Sequence, residues 1–273
     1  MNRERRLAAF ADTHKNRVQF DTVPRHLAGP GDPRHVTHAL HAAGWADHSD
    51  SLSPGVLLVS PDQRLRLGLD HAPSATGAWW RIRGHPFTPG YRYAEFSALI
   101  PAEILGGLTD ALIHPVPDDV PDVWPVLTAA GWTQGTDDHG EEFAASPDEL
   151  MRVSRSEELA CWRAEAGERR RDGSYKRIWH GWLPESAPPH LVAGFMAALV
   201  SPDPVLRGMY DLTGHYSVRQ ETSGVTGEAV VEAHQGRLKA ARAAQRRTGP
   251  PATAQTCLPS RPVAAVAHAG RAR

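Results

Sequence analysis

The chain contains one pattern of residues twice, and this internal repeat constrains its fold more than any other feature. The run Ala42–Trp45 returns as Ala129–Trp132, and a helix-forming segment around Gly107 returns around Gly194. Both pairs are 87 residues apart (131 − 44 and 194 − 107), whereas segments between them are 86 (146 − 60) or 82 (162 − 80) apart. A spacing that drifts inside the unit but agrees at both ends is typical of one fold used twice with different loops.

Each copy is predicted to begin and end with a helix and to have short strands between them. Apolar residues of the first helix fall on one face, and Gly44 can adopt the left-handed conformation that ends it. In Arg64–Leu69 leucine alternates with arginine, as in a strand with one buried and one solvated face. With four strands counted per copy, the sequence predicts an α+β fold: two tandem α-β-β-β-β-α units with antiparallel meander sheets, then a C-terminal helix and a disordered tail.

The distribution of aromatic residues suggests where the folded part ends. All eight Trp lie between Trp45 and Trp182, and no Phe, Trp or Tyr follows Tyr216. The last quarter therefore has little apolar surface with which to offset its ordering entropy. We expect a polar N-terminal arm over 1–23, a first repeat over 24–114, a Pro/Asp linker over 115–121, a second repeat over 122–216, an exposed helix region over 217–248 and a disordered basic tail over 249–273.

Bulk composition favours a cytoplasmic protein. Thirty Lys and Arg against 31 Asp and Glu leave a formal charge of −1. The net charge of the protein therefore does not attract nucleic acid or an anionic membrane. Only Cys161 and Cys257 are present, and no disulfide framework is encoded. Since no stretch reaches the ~18 apolar residues of a membrane span, we expect no membrane association.

Two Ser-Pro-Asp tripeptides, Ser60–Asp62 and Ser146–Asp148, recur in the two copies. They could be a serine nucleophile with a carboxylate, but Ser, Pro and Asp in this order suit a tight turn between strands. A catalytic serine also needs a base, and no His recurs in both copies. Because phosphate-binding, zinc and nucleophile-elbow motifs are missing as well, we predict no catalytic residues and no cofactor.

Three histidines, His35, His38 and His41, lie three residues apart on the first predicted helix. This spacing can place two imidazoles on one metal ion. The second copy has Asp122, Pro125 and Thr128 at the equivalent positions. We therefore interpret the three as solvated helix residues and predict no metal site.

The segment Trp79–Arg83 combines aromatic and basic residues, as surfaces that stack single-stranded nucleic acid do. Alternation places Trp80 and Ile82 towards the core, and Trp79 on the other face, where the tail or the other repeat could also cover it. The candidate binding surface consists of Trp79, Arg81, Arg83, Arg64 and Arg66.

Several of these motifs together resemble the SPDY-type domain, a domain of unknown function from actinobacterial proteins, over roughly residues 24 to 207. The resemblance is carried by these segments: Leu27–Asp32, Ala42–Trp45, Ser60–Asp62, Trp79–Trp80, Phe96–Ser97, Pro101–Ile104 and Leu108–Leu112. It implies a tandem pair of such domains, and it brings no established activity, catalytic residue or cofactor.

The sequence leaves three functional hypotheses. The first is a non-catalytic binding or interaction protein with an unknown protein partner, because turn and core residues recur in both copies whereas polar constellations do not. The second is a nucleic-acid-associated accessory protein that uses Trp79, Arg81, Arg83 and the basic tail, in which no acidic residue follows Ala233. An enzyme is the third.

Overall fold

A computed structural model describes residues 3–50, 52, 55–70, 79–84 and 93–248, and within these residues the chain forms helices and antiparallel strands. The helices are α1 (Arg3–His14), α2 (Arg34–Ala42), α3 (Ala102–Ile113), α4 (Val123–Ala129), α5 (Pro189–Val200) and α6 (Gly227–Thr248). The strands are β1 (Gln19–Val23), β2 (Ala46–Asp47), β3 (Val56–Val59), β4 (Leu65–Leu69), β5 (Trp80–Gly84), β6 (Tyr93–Phe96), β7 (Thr133–Thr136), β8 (Glu142–Ala145), β9 (Met151–Ser156), β10 (Cys161–Arg169), β11 (Tyr175–Pro184), β12 (Val205–Gly208) and β13 (Arg219–Thr222).

The two repeats join into one ten-stranded sheet with the order β2-β3-β4-β5-β6-β11-β10-β9-β8-β7. Each repeat contributes an antiparallel meander flanked by two helices, so the predicted α+β class and meander topology are confirmed. Each meander has one strand more than the four expected. The additional strands, β2 and β7, follow the first helix directly, and β2 has only two residues, too few to show alternation in the sequence.

An approximate two-fold axis relates the repeats where they meet. In the sheet, Phe96 pairs with Gly181 and Glu95 pairs with Trp182. On the other side of the Phe96–Gly181 pair, the Ser97 N–H donates to the His180 carbonyl at 2.9 Å, so the contact is reciprocal about Phe96 and Gly181, which lie 85 residues apart (181 − 96). The duplication thus produces an intramolecular arrangement like that of a symmetric dimer.

On the helical side of the sheet, α3 crosses α5 at a pair of equivalent glycines. A Cβ added to Gly107 would lie 2.4 Å from the Gly194 carbonyl oxygen and 2.4 Å from the Ala198 Cβ. A Cβ added to Gly194 would lie 2.9 Å from the Gly107 carbonyl oxygen and 3.0 Å from the Ala111 Cβ. The contacts are therefore reciprocal, and the two helices approach too closely for any side chain at either glycine.

The repeated Gly-Trp pair ends the first helix of each copy in the same way. Gly44 and Gly131 have φ of +88° and +82°, in the left-handed region where glycine is favoured. The next N–H, of Trp45 or Trp132, donates to a carbonyl five residues back at 3.0 and 3.1 Å. This geometry satisfies an otherwise free carbonyl at the helix end and places both indoles in the core.

The core lies between the helices and the inner face of the sheet, and it extends continuously through both repeats. The apolar periodicity of the sequence predicts eight mostly buried residues, and seven of them lie in this core: Trp45, Leu67, Trp80, Leu108, Leu127, Trp132 and Phe195. The eighth, Trp162, is partly buried and packs against the core, with its ring 5.3 Å from that of Trp124.

The N-terminal segment over 1–23 is not the polar arm expected from its composition. Residues 3–14 form helix α1, in which the Phe10 side chain is buried against other elements. Residues 19–23 form β1, the central strand of a three-stranded sheet with order β12-β1-β13. The expectation was wrong because the partners of this segment, β12, β13 and α6, lie about 200 residues further along the chain.

The expectation that the folded part ends near Tyr216, with an exposed helix beyond it, is also wrong. Strand β13 pairs with β1, with Phe20 opposite Thr222. Helix α6 docks on α1 and α2 and buries Leu238, Ala241 and Ala244. Alanine side chains allow close helix packing, so a helix with few large apolar residues can still bury one face.

The proline-rich segment over 115–121 connects α3 to α4 without helix or strand and is mostly exposed. The predicted tail over 249–273 lies outside the described residues. Within the part of the chain that the structure describes, no helix combines the length and apolarity needed to cross a membrane.

Candidate functional site

The outer face of the ten-stranded sheet, opposite the helices, is polar and contains much of the candidate binding surface. Leu67 pairs with Ile82 on the inner, buried face, whereas Arg66 pairs with Arg83 on the outer face. Both arginines of the outer pair are exposed. Arg81 lies on the same face and forms long ion pairs of 3.8 Å with Glu95 and 3.9 Å with Asp70.

Arginines continue across the outer face into the second repeat. Arg163 pairs with Trp182 on the neighbouring strand, and Arg152 lies opposite Glu165. These arginines are held by carboxylates: Arg163 by Glu141, Arg152 by Asp137 at 2.8 Å, and Arg177 by Glu165 at 3.2 Å. Asp137 and Glu141 therefore position arginines of the sheet.

In the Arg66–Arg83 pair, two like charges face each other in register. On antiparallel strands, side chains directly opposite each other lie about 5 Å apart at Cβ, and like charges there destabilise the sheet. Arg64 precedes this pair at the turn, with a side chain 71% exposed and 3.8 Å from Asp62. This corner of the sheet is thus the most strongly basic part of the candidate binding surface.

The aromatic part of the candidate surface is partly covered, in line with the alternative that the sequence left open for Trp79. Trp79 is partly buried and packs against the core. Farther across the sheet, the Phe143 ring is covered by the Arg152 guanidinium, 3.8 Å from the ring centroid. The structure therefore brings Arg64, Arg66, Arg81 and Arg83 to one open face but does not offer Trp79 as a free stacking platform.

Both Ser-Pro-Asp motifs form turns between strands. In the first, the Ser60 hydroxyl donates to Asp62 Oδ1 at 2.6 Å and accepts from the Leu65 N–H at 2.9 Å. The Asp62 carboxylate also accepts from the Arg64 N–H at 3.1 Å. The second motif repeats each contact with Ser146, Asp148, Leu150 and Met151.

The second turn has one additional partner, since His26 Nε2 lies 2.9 Å from Asp148 Oδ2. Burial raises the pKa of Asp148, but the hydrogen bond and charge of His26, together with the hydrogen bonds from Ser146 and the Leu150 N–H, lower this pKa to about 2. The carboxylate lies between the hydroxyl and the imidazole, so His26 does not contact Ser146 as a general base would. This cluster holds a turn against the segment that follows β1.

A cleft that the sequence did not reveal lies where the terminal elements cover the first repeat. Its volume is about 790 Å³, and its walls come from α1, the loop before α2, the start of α3, β12 and α6. Five arginines and three carboxylates line it: Arg17, Arg25, Arg34, Arg207 and Arg237, with Asp32, Glu103 and Asp211. The lining carries an excess of two positive charges when the histidines are neutral.

Arg207 anchors one wall of this cleft and is almost completely buried, with 2% of its side chain exposed. Its guanidinium donates to both carboxylate oxygens of Glu103, at 2.7 and 2.9 Å, and to the carbonyls of Ala28 and Gly29. Although burial raises the pKa of Glu103, the Arg207 charge lowers it to about 2. The pair is thus ionised at neutral pH.

The two glycines of the Gly29–Asp32 loop are required by this packing. Gly29 has φ of +79°, and a Cβ there would lie 1.9 Å from the Leu212 carbonyl oxygen. Gly31 has φ of +62°, and a Cβ there would lie 2.9 Å from the Arg207 guanidinium. The loop positions Asp32, whose carboxylate binds Arg34 and lies 2.8 Å from His14 Nε2. These glycines were the one sequence signal that could have located the cleft.

A buried histidine cluster borders the cleft, which corrects the interpretation of the α2 histidines as solvated. His38 Nδ1 lies 3.1 Å from His234 Nε2, and both residues are buried. The Phe10 ring stacks on the His234 ring with their centroids 3.8 Å apart, and the His35 ring centroid lies 5.6 Å from that of His234. Burial lowers the pKa of His38 to about 4, and burial together with the neighbouring His35 lowers that of His234 to about 3.

The remaining nitrogen of His234, Nδ1, is buried and has no hydrogen-bond partner among the described residues. His41, the third helix histidine, contacts the Trp45 carbonyl at 3.3 Å and lies 3.8 Å from Asp47. Over residues 3–50, 52, 55–70, 79–84 and 93–248, no group of three His, Cys, Asp or Glu side chains has an arrangement that could hold a metal ion.

The fold and its surfaces define a class of protein: a pseudo-symmetric α+β chain in which two five-stranded meanders share one sheet. The family model SPDY, described as a domain of unknown function (DUF317), matches the chain twice, over residues 59–117 and 145–205. The chain therefore has two segments in tandem that are each similar to the SPDY domain. Comparisons with curated proteins and with solved structures gave no match.

The matched segments correspond to equivalent parts of the two repeats, from the end of the third or eighth strand to the closing helix. Helices α1 and α6 and strands β1 and β13 lie outside them. The outer face of the sheet is thus formed largely by the matched segments. Most residues that line the cleft lie outside them.

Proposed function

We propose that this protein is a non-catalytic binding protein that holds an acidic segment of a partner protein on the outer face of its sheet. The observation that carries the proposal is the in-register pair of exposed arginines, Arg66 and Arg83. A carboxylate placed between them would accept a charge-assisted hydrogen bond from each guanidinium group. The pair lies at a basic corner of this face in a chain whose formal charge is only −1.

The arrangement of the remaining arginines supports the same surface. Arg152, Arg163 and Arg177 are each fixed by a carboxylate, which orients the guanidinium groups along the sheet. Fixed arginines lose little side-chain entropy when an anionic partner binds. Among the residues that the structure describes, each turn serine donates to its own Asp and contacts no base, which supports a binding role over hydrolysis.

Nucleic acid is the second candidate, and the same basic face supports it. Trp79, the stacking residue of this candidate, is partly buried against the core, so base stacking has less surface than the sequence suggested. Charge-based recognition of acidic side chains needs no free aromatic ring. For this reason we place the protein partner first.

The test measures binding of two probes, a fluorescent poly-glutamate peptide and a labelled mixed-sequence single-stranded oligonucleotide. The variant Arg66→Glu/Arg83→Glu should weaken peptide binding by roughly a hundredfold, because two charge-assisted contacts become repulsive. The matched control Arg5→Glu/Arg219→Glu makes the same charge change at exposed positions away from this face and should leave binding within about twofold.

The outcomes separate the candidates. Peptide binding that depends on Arg66 and Arg83 supports the proposal. Stronger binding of the oligonucleotide, with a log-log salt slope near −0.7 per phosphate contacted, would favour the nucleic-acid candidate. If neither probe binds, or if the control variant loses binding equally, the outer face is not the binding surface.

A further inference from the structure

We propose a second, separate binding site: the cleft between α1, α6 and the first repeat binds a small organic anion with an apolar body. The cleft volume of about 790 Å³ lies in the range of sites that enclose a metabolite-sized molecule. The site does not involve the outer face of the sheet, so it stands independently of the proposed partner binding.

The charge of the lining determines the sign of the ligand. The five arginines exceed the three carboxylates, and the carboxylates are already engaged: Glu103 by Arg207, Asp32 by Arg34, and Asp211 by Arg17. A bound cation would have to compete with these arginines. An anion meets Arg25, which forms no ion pair among the described residues, whereas Arg237 is already paired with Asp110 at 2.6 Å. The lining therefore selects a carboxylate or a phosphate.

Arg25 is the arginine best placed to receive this anion. Its guanidinium donates only to neutral acceptors, the Ser201 hydroxyl at 3.1 Å and the Asp203 carbonyl at 2.8 Å. Its Nε is buried and has no hydrogen-bond partner among the described residues. A buried charged donor without an acceptor is costly, and an anionic oxygen would satisfy it.

His234 provides an independent indication of a ligand. Only 3% of this residue is exposed, it lines the cleft, and its Nδ1 has no partner in the described part of the chain. Because its Nε2 is engaged with His38, Nδ1 is the nitrogen left for a molecule in the cleft. The imidazole remains neutral at physiological pH, so it can act as a hydrogen-bonding group without adding charge.

Apolar residues form the rest of the wall and explain the apolar body. Val205 and Leu206 contribute from β12, and Val230 and Ala233 contribute from α6. A small inorganic anion would leave this surface in contact with water. The best ligand therefore carries its charge at one end and hydrocarbon at the other.

Isothermal titration of the full chain tests the site with four probes: octanoate, octyl phosphate, inorganic phosphate and the neutral octyl glucoside. We expect one-to-one binding of octanoate or octyl phosphate, the tighter of the two identifying the head group. Inorganic phosphate lacks the hydrocarbon chain and octyl glucoside lacks the charge, so each should bind at least about tenfold more weakly.

Two variants locate the site. Arg25→Gln should lower the affinity for the anionic probe by roughly tenfold or more, since it removes a charge-assisted hydrogen bond. Arg219→Gln, outside the cleft, should leave this affinity within about twofold of the unmodified protein. Ala233→Leu fills the cleft from an exposed helix position without removing a charge and should block binding, and Ala240→Leu on the same helix is its control.

Three results would overturn the proposal. The first is that neither amphipathic anion binds more tightly than about 1 mM, the weak end of specific affinities. The second is that octyl glucoside binds as tightly as the anions. The third is that both Arg25→Gln and Ala233→Leu, shown to be folded by circular dichroism, bind like the unmodified protein.

Discussion

The crossing of α3 and α5 gives the sharpest test of the two-fold arrangement, through the substitution Gly107→Ala. The new methyl carbon would lie 2.4 Å from both the Ala198 Cβ and the Gly194 carbonyl oxygen, whereas ordinary contacts are 3.4–4 Å. Neither neighbour can rotate away, because one is a Cβ and the other is backbone. The helices must therefore separate by about 1 Å, and contacts in the close-packed core around them weaken.

The expected magnitude follows from two opposing effects. Alanine favours a helix over glycine by about 1 kcal/mol. Overpacking of a rigid core costs about 1–3 kcal/mol, and a clash with backbone lies at the upper end or beyond. The net loss should be about 2 kcal/mol in the free energy of unfolding, measured by urea denaturation followed by tryptophan fluorescence.

The neighbouring residue supplies a matched control. A Cβ at Gly106 would meet only the end of the Arg237 side chain, at 3.3 Å, and this side chain can move. Gly106→Ala should therefore leave stability unchanged or raise it by up to about 1 kcal/mol. If Gly107→Ala is as stable as the unmodified protein, or if both variants lose the same stability, the close crossing at the two-fold axis is wrong.

Three further predictions concern stability. Because the pKa values of His38 and His234 lie at about 4 and about 3, below the usual value near 6.5, the unfolded chain binds more protons, and stability present above pH ~6.5 is lost as pH falls towards these values. The free energy of unfolding in urea should be lower at pH ~5 than at pH ~7 by about 2 kcal/mol for each histidine that titrates this way. A free energy of unfolding that does not change with pH would contradict the buried pair. Ser146→Ala should cost about 1–2 kcal/mol by removing two turn hydrogen bonds, and an unchanged urea midpoint would show that the turn does not need them. Leu108→Ala should cost about 2–5 kcal/mol in the same assay, whereas a loss below about 1 kcal/mol would mean that α3 does not seal the core.

Local patterns in the sequence were sufficient to predict the repeats. Leucine alternation in β4, the Gly-Trp helix ends and the Ser-Pro-Asp turns each depend on residues within a few positions of one another. Arg64, Arg66, Arg81 and Arg83 could be placed on one face for the same reason. The depth of Trp79 could not, because it depends on contacts with the core that periodicity does not describe.

The terminal elements and the cleft could not be predicted from such patterns. Strand β1 is mostly polar, and its pairing partners lie near residues 205 and 220. The histidines of α2 have the spacing of a solvated helix face, and only the docking of α6 buries His38 against His234. The charge excess of the cleft likewise arises from residues that are distant along the chain.

The long sequence separation within the terminal layer imposes an order on assembly during protein synthesis. Strand β1 emerges from the ribosome early, but it must wait for β12 and β13, and α1 must wait for α6. Domains generally fold as units from the N-terminus during synthesis, so the two repeats can form their shared sheet first. The cleft then forms only after α6 has been synthesised, later than the sheet that the two repeats share.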